Sequence, residues 1–290
     1  MSECASNPPT SSAGITLIEL AGVLVVIGLI IGGILVGHEL VTAARLRLTI
    51  SQMEEYNAAV NGFRAKYGGL PGDLNRSAAM AFGLFALNGD STGVDGANGD
   101  GDGLIESFAV CNSGLPGPRD SALASAEALV FWRQLSDARL IDGSFGISDE
   151  GAIDPDTGCT AGDVVNVGLT LPAARLGGGN FIAVYFVSKD TVTSLGDANY
   201  FEINRIAEIA GGRYRGAALT IAPRDAYYVD AKIDDGYPNS GGVVARGKPL
   251  SVLNRDPDAS SAGCVTGLMS VDGYRSDSPT PACGVRIRMR

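Results

Sequence analysis

Apolar residues are unevenly spread along this chain of 290 residues, and the densest run comes first. From Ile15 to Gly37 the only ionisable side chain is Glu19, and the run contains no Pro. As an α-helix it is about 34 Å long, enough to cross a bilayer hydrocarbon core of ~30 Å. The pattern then changes without stopping. Met53, Tyr56, Val60, Phe63 and Tyr67 follow at spacings of 3, 4, 3 and 4, while Arg45, Arg47, Glu54, Glu55, Arg64 and Lys66 fall on the other faces. That is the period of a helix with one face against a core. No Pro lies between Pro9 and Pro71, so one helix of about fifty residues is predicted from Ile15 to Tyr67, ended by Gly68-Gly69 and Pro71. Its first half faces lipid or sister helices, and its second half packs on the head that follows.

The head, residues 68–290, opens with Leu70-Pro-Gly-Asp73, a turn in which Pro presets φ and Gly permits a positive one. A loop rich in Gly, Asp and Asn runs from Asn88 to Gly103. A second helix is predicted from Ala122 to Leu140, carrying Leu123, Leu129, Phe131, Trp132 and Leu135. Phe181–Val187, Ala217–Ile221, Tyr227–Ile233, Val243–Val244 and Val285–Met289 read as β-branched or aromatic strands between Gly, Asp and Pro. The expected class is therefore α+β: a long N-terminal helix, its first half transmembrane, packed on an antiparallel sheet with a second helix and long loops. On a strand, Asp230, Lys232 and Asp234 share one face and make a solvated ion-pair row. The closing Val285-Arg-Ile-Arg-Met-Arg290 reads as a charged edge strand or as a basic strip that meets an acidic neighbour.

Composition narrows the chemistry. Net charge is −10, which disfavours a nucleic-acid partner because phosphate neutralisation needs a basic surface. Gly is 40 of 290 residues without a period of three, and the apolar content of 45% is too high for a disordered chain. The single His, His38, lies near the membrane end of the helix and cannot serve a Ser-His-Asp or Cys-His site in the head. Gly242-Val-Val-Ala-Arg-Gly-Lys248 falls short of a phosphate-binding loop, since Pro249 occupies the position that must offer a hydroxyl to Mg²⁺. No enzyme is expected. Of five cysteines, Cys4 precedes the helix, leaving Cys111, Cys159, Cys264 and Cys283 in the head. If the head lies outside the cytoplasm, an even number there reads as two disulfides; of three pairings, Cys111 with Cys159 and Cys264 with Cys283 is preferred. Asn98-Gly-Asp100-Gly-Asp102-Gly103 matches the first half of a calcium loop, but Ala109 stands where the bidentate Glu belongs. Two readings stay open: a looser calcium site of Asn98, Asp100, Asp102 and Glu106, or a solvated acidic loop.

Glu19 is the residue that an ordinary anchor does not need, because a carboxylate in such a segment costs roughly 2.5 to 3.5 kcal/mol. Gly14-Ile-Thr-Leu-Ile-Glu-Leu20, a polar leader followed at once by an apolar helix, resembles the processing signal of type IV pilins and type II secretion pseudopilins. Ile15 stands where that family more often has Phe, and the leader carries Glu3 but no Lys or Arg where family leaders are usually basic. The resemblance implies a leader over 1–14, a helix over 15–67 and a head over 68–290. It implies cleavage by a prepilin peptidase between Gly14 and Ile15, methylation of Ile15, and an assembly role for Glu19 against a neighbouring subunit's terminal amine. It also implies single-pass storage in the inner membrane with the head outside the cytoplasm. An inner-membrane platform then extracts the subunit into a periplasmic or extracellular filament of identical or related subunits. Tyr67-Gly-Gly-Leu-Pro-Gly-Asp73 and Asp230-Ala-Lys-Ile-Asp-Asp-Gly236 resemble a large-headed subgroup of the family. A Cys264–Cys283 bridge would close a C-terminal loop like that of pilins, and pseudopilins use calcium. Gly28, Gly32, Gly33 and Gly37 set small residues at the spacing that lets membrane helices approach closely. The competing class is a membrane-anchored binding or catalytic domain that the helix merely tethers.

Overall fold

Helix-compatible periodicity and the absence of Pro carry one helix, α1 (Leu17–Tyr67), through 51 residues. The structure is a computed structural model that describes residues 16–86, 99–106, 126–146, 166–188, 197–210, 213–215, 218–246, 263–266, 273–278 and 280–290. The chain divides inside α1 into two compact units, Met1–Ala44 and Arg45–Arg290. In the first, the described side chains from Thr16 to Val41 are all exposed, and the helix is long and apolar enough to cross a membrane. In the second, the predicted stripe is the buried one: Met53, Tyr56, Val60 and Phe63 join the core, with Tyr67 partly buried at its edge. Gly68, at φ 81°, ends the helix in the left-handed region, where a residue with a Cβ is strained.

The remaining elements of the second unit are α2 (Arg76–Ala81), α3 (Ala126–Asp137), α4 (Val167–Thr170), β1 (Asn180–Val187), β2 (Ala198–Arg205), β3 (Glu208–Ala210), β4 (Arg213–Arg215), α5 (Pro223–Ile233), β5 (Val243–Arg246) and β6 (Gly284–Arg288). Four strands form one antiparallel sheet in the order β1-β2-β6-β5, and β3 and β4 form a separate hairpin. Register assigns the faces. Val184, Phe201, Ile203, Val285, Ile287 and Val243 are cross-strand partners on one face. Phe201 on that face packs against Tyr56 of α1 and Phe131 and Trp132 of α3, with ring centroids 6.0–6.3 Å apart. The core is thus a sheet face closed by two helices, as an α+β chain with one amphipathic helix half requires.

Three expectations are corrected. Tyr227–Ile233 is helical, the greater part of α5: Pro223 starts the helix, and Ala226, Val229 and Asp230 recur at helical spacing on its buried side. Asp230, Lys232 and Asp234 therefore share no strand face. Asp230 is fully buried, accepting from the Tyr274 hydroxyl (2.7 Å) and from the Gly236 amide (3.1 Å). The C-terminal strand β6 is interior, flanked by β2 and β5, and its Arg286 is wholly buried. Arg286 Nε donates to the Tyr185 hydroxyl (2.9 Å) and lies 3.6 Å from the Glu202 carboxylate, which also accepts from Tyr185 and Asn204. An interior strand holds such a charge only because a buried carboxylate opposes it. Of the strand expected over Ala217–Ile221, the described residues 218–221 form none: Ala218 and Ile221 each make one isolated bridge.

Strands β2, β3 and β4 were not expected. The alternation of Tyr200, Glu202 and Asn204 with Phe201 and Ile203 was the available signal for β2, with polar groups on one face and apolar on the other. The predicted Phe181, Val243 and Val285 strands each form within one or two residues of expectation. The helix expected over 122–140 runs from Ala126 to Asp137; residues 122–125 lie outside the described ones. A disulfide joins Cys264 to Cys283. Cys111 and Cys159 lie outside the described residues.

Candidate functional site

Two groups of side chains in the described residues carry chemistry. At the head of α1, the Glu19 carboxylate accepts from the Thr16 amide (2.9 Å) and the Thr16 hydroxyl (2.9 Å), while the Glu19 amide donates to Thr16 Oγ1 (3.3 Å). This is a reciprocal capping box, Thr at the cap and Glu three residues on, which satisfies amides that the first helical turn leaves without partners. Glu19 is exposed, as are the apolar residues that follow it. The proposed processing positions Gly14 and Ile15 lie outside the described residues.

The second group gathers around the acidic loop. Leu70-Pro-Gly-Asp73 forms the predicted turn: the Asp73 amide donates to the Leu70 carbonyl (3.2 Å), with Gly72 at φ 86°. Gly72 also lies against α3. A Cβ there would sit 2.4 Å from the Glu127 carbonyl, and its amide donates to Gln134 Oε1 (2.7 Å). This close approach aims Asp73 into the loop, where its two oxygens accept from the amides of Gly101 (2.8 Å) and Gly103 (2.9 Å). From α3, Glu127 Oε2 accepts from the Glu106 amide (2.7 Å). Asn199 of β2 closes the other side, donating to the Gly103 carbonyl (2.9 Å) and accepting from the Ile105 amide (2.8 Å).

Five carboxylates result, in two overlapping triplets with ligand atoms within 4.8 Å of one another: Asp73, Asp100 and Glu127, and Asp100, Asp102 and Glu106. Asp73, Glu106 and Glu127 are buried; Asp100 and Asp102 are exposed. Burial pushes the Asp73 carboxyl up to about 6, against the two loop amides that favour its charged form. Burial likewise holds Glu127 well above the usual carboxylate range, and the negative charges of Asp73, Glu106 and Asp100 add to it. Such a set of hard oxygen donors can hold a proton or take a divalent cation such as calcium. Of the sequence-predicted ligands, Asp100, Asp102 and Glu106 come together, and Asn98 lies outside the described residues. Asp73 and Glu127 were missed as partners of the loop, although Asp73 ends the turn that the sequence marks and Glu127 is a lone acid opening an apolar helix.

A third cluster, Asp230, Asp234 and Asp235, sits at the end of α5. It serves the fold: Asp234 accepts from the Gly242 amide, and Asp235 from the amide of Tyr237 (2.8 Å) and the hydroxyl of Ser240 (2.7 Å). Against known proteins, no family model matches the chain, and neither a curated protein nor a solved structure does.

Proposed function

We propose that this chain is a filament-forming subunit of the type IV pilin and pseudopilin kind. It is stored in the inner membrane, cut between Gly14 and Ile15 by a prepilin peptidase, and assembled with like subunits through the first half of α1. Its role is mechanical and not catalytic. The observation that carries the reading is a single carboxylate, Glu19, in the first turn of an apolar helix segment whose side chains from Thr16 to Val41 are exposed among the described residues. A segment of that kind needs lipid or other helices around it, and a charge placed at its head needs a cation from outside the segment. The second half of the same helix supplies core residues to the head.

The capping box supports a second reading, a plain membrane anchor, because it gives Glu19 a purely local task. Glu19→Gln separates the two, since a Gln at this position still completes a capping box but carries no charge. The filament reading expects Glu19→Gln to abolish sheared filaments while the subunit stays in the membrane at normal abundance; unchanged filaments overturn it. Mass spectrometry of the N-terminal peptide from the native envelope tests processing, with a start at N-methylated Ile15 expected and an intact Met1 contradicting the proposal.

A further inference from the structure

The loop between α4 and β1 carries donors that the fold leaves unused. Gly177, Gly178 and Gly179 follow one another at φ 78°, 68° and 75°, a run of left-handed backbone that only Gly adopts without strain. Bonds to its carbonyls hold the turn: the Asn180 amide (3.2 Å) and Nδ2 (2.7 Å) donate to Gly177, and the Ile206 amide donates to Gly179 (3.4 Å). The Gly177 amide donates to the Ala174 carbonyl (2.9 Å). Gly178 and Gly179 are exposed, and their amides donate to nothing among the described residues. A turn with two unused amides and no side chains in the way can take an anion against its backbone.

Two arginines flank this loop. A Cβ at Gly177 would lie 3.8 Å from Arg45 Nη1, and one at Gly179 would lie 3.8 Å from Arg205 Nε. Both cations are placed by regular elements. Gln52 of α1 pins the chain just before the loop, donating to the Ala173 carbonyl (2.9 Å) and accepting from the Arg175 amide (2.9 Å). Arg45 precedes Gln52 by two helical turns and so shares its face of α1. Arg205 ends β2 as the cross-strand partner of Asn180. A third cation is already spent, since Arg175 makes two bonds of 3.0 Å to the Glu55 carboxylate. Arg45 and Arg205 are exposed, and among the described residues neither guanidinium has an ion pair or a hydrogen bond. Acids are not scarce in this chain, with 32 Asp and Glu against 22 Lys and Arg, so two unpaired arginines on one loop mark a place kept for an outside anion.

The chain also limits how far this loop stands from lipid. Arg45 follows by four residues the exposed run that ends at Val41, in a helix long and apolar enough to cross a membrane. Four residues reach at most about 14 Å, and a bilayer's headgroup layer is about 5–7 Å thick on each side of the hydrocarbon. A guanidinium fork takes two phosphate oxygens at once, which leaves the others to backbone amides.

We infer that Arg45, the amides of Gly178 and Gly179, and Arg205 form a phosphate site that binds the headgroup of an anionic phospholipid. The site selects a lipid beside an anchored chain; one headgroup contact is too weak to hold the head on a membrane without the span. It rests on the membrane span and not on filament assembly, so unchanged filaments in Glu19→Gln leave it standing.

Native mass spectrometry of the full chain released from non-ionic detergent micelles, titrated with phosphatidylglycerol or phosphatidylcholine, reads the site. Phosphatidylglycerol is expected to bind at least ~10-fold more tightly than the zwitterionic lipid. Arg45→Gln with Arg205→Gln should remove that preference. Arg64→Gln with Lys66→Gln, the same loss of charge at the other end of α1, should keep it. Each pair alters exposed side chains, so a Tm within ~2 °C of wild type is expected for both and shows that the head is folded. Equal affinity for the two lipids in the wild-type chain, or a preference that survives Arg45→Gln with Arg205→Gln, overturns the proposal. Equal loss in both double variants does so too, because it reports general charge attraction. Inorganic phosphate bound as tightly as phosphatidylglycerol overturns the lipid assignment in favour of free phosphate. A dimer that is lost in the Arg45 and Arg205 variant, without any lipid preference, would give the arginines to carboxylates of a second copy and overturn it as well.

Discussion

Asp73 and Asp230 are single residues whose protonation the fold has made costly to withhold. Burial is the first cause for both, raising Asp73 to about 6 and Asp230 to about 7 from the ordinary 3.8. The folded state thus holds these protons more tightly than the unfolded state does. Their penalty is full above pH ~7 and is relieved as pH falls toward ~4, so their contribution to stability grows on acidification. Urea midpoints of the chain are expected to be higher at pH 5 than at pH 7.5, and Asp73→Asn should flatten part of that slope; a midpoint that falls between those values contradicts the assignment. Gly72 is the other residue whose identity the site demands. A side chain there meets the Glu127 carbonyl and must hold φ at 86°, so Gly72→Ala is expected to cost at least about 2 kcal/mol by chemical denaturation. Gly72 was legible in the sequence as a turn residue. Its contact with α3 was not, because nothing local says which distant helix the turn will meet.

Among the elements, α1 shows how one helix can hold two kinds of apolar residue. Phe63 is fully buried and Leu29 is 72% exposed, though each is a large apolar side chain on the same uninterrupted helix. Phe63→Ala should destabilise the head by ~3–5 kcal/mol, and Leu29→Ala should leave head unfolding unchanged. Differential scanning calorimetry in detergent distinguishes them; equal effects would mean that the first half also packs on its own head. This division was readable in advance, because a continuous apolar run and a stripe of period 3.6 are different local patterns. Other elements were not. The Tyr227–Ile233 segment has a strand-like composition, yet Pro223 and the spacing of Ala226, Val229 and Asp230 make it α5. Composition and period disagreed there, and the period of the buried positions prevailed. The alternate Arg side chains of the last strand read as a charged edge or as a basic strip for an acidic neighbour; the strand is interior, and Glu202 of β2 offers Arg286 a buried counter-charge.

The molecule as a whole keeps its hydrophobic core inside Arg45–Arg290, where α1 contributes its second half. A chain beginning at Arg45 is therefore expected to fold with a Tm within ~3 °C of the full chain and to stay in solution without detergent, while losing all membrane partition. Aggregation of that shortened chain would show that the first half of α1 is needed for folding as well as for anchoring. The amino-acid sequence by itself determined the long helix, its apolar first half, the Leu70–Asp73 turn and the α+β class, since each rests on period, Pro and Gly within a short window. Tertiary structure alone decided the strand order β1-β2-β6-β5, the burial of Arg286, and the convergence of Asp73 and Glu127 on the acidic loop. Those features join segments from 21 to 101 residues apart, as the Glu106–Glu127 and Tyr185–Arg286 hydrogen bonds do. Which distant segments pair is settled by how the whole chain buries its apolar faces and satisfies its buried charges, a competition that no local window contains.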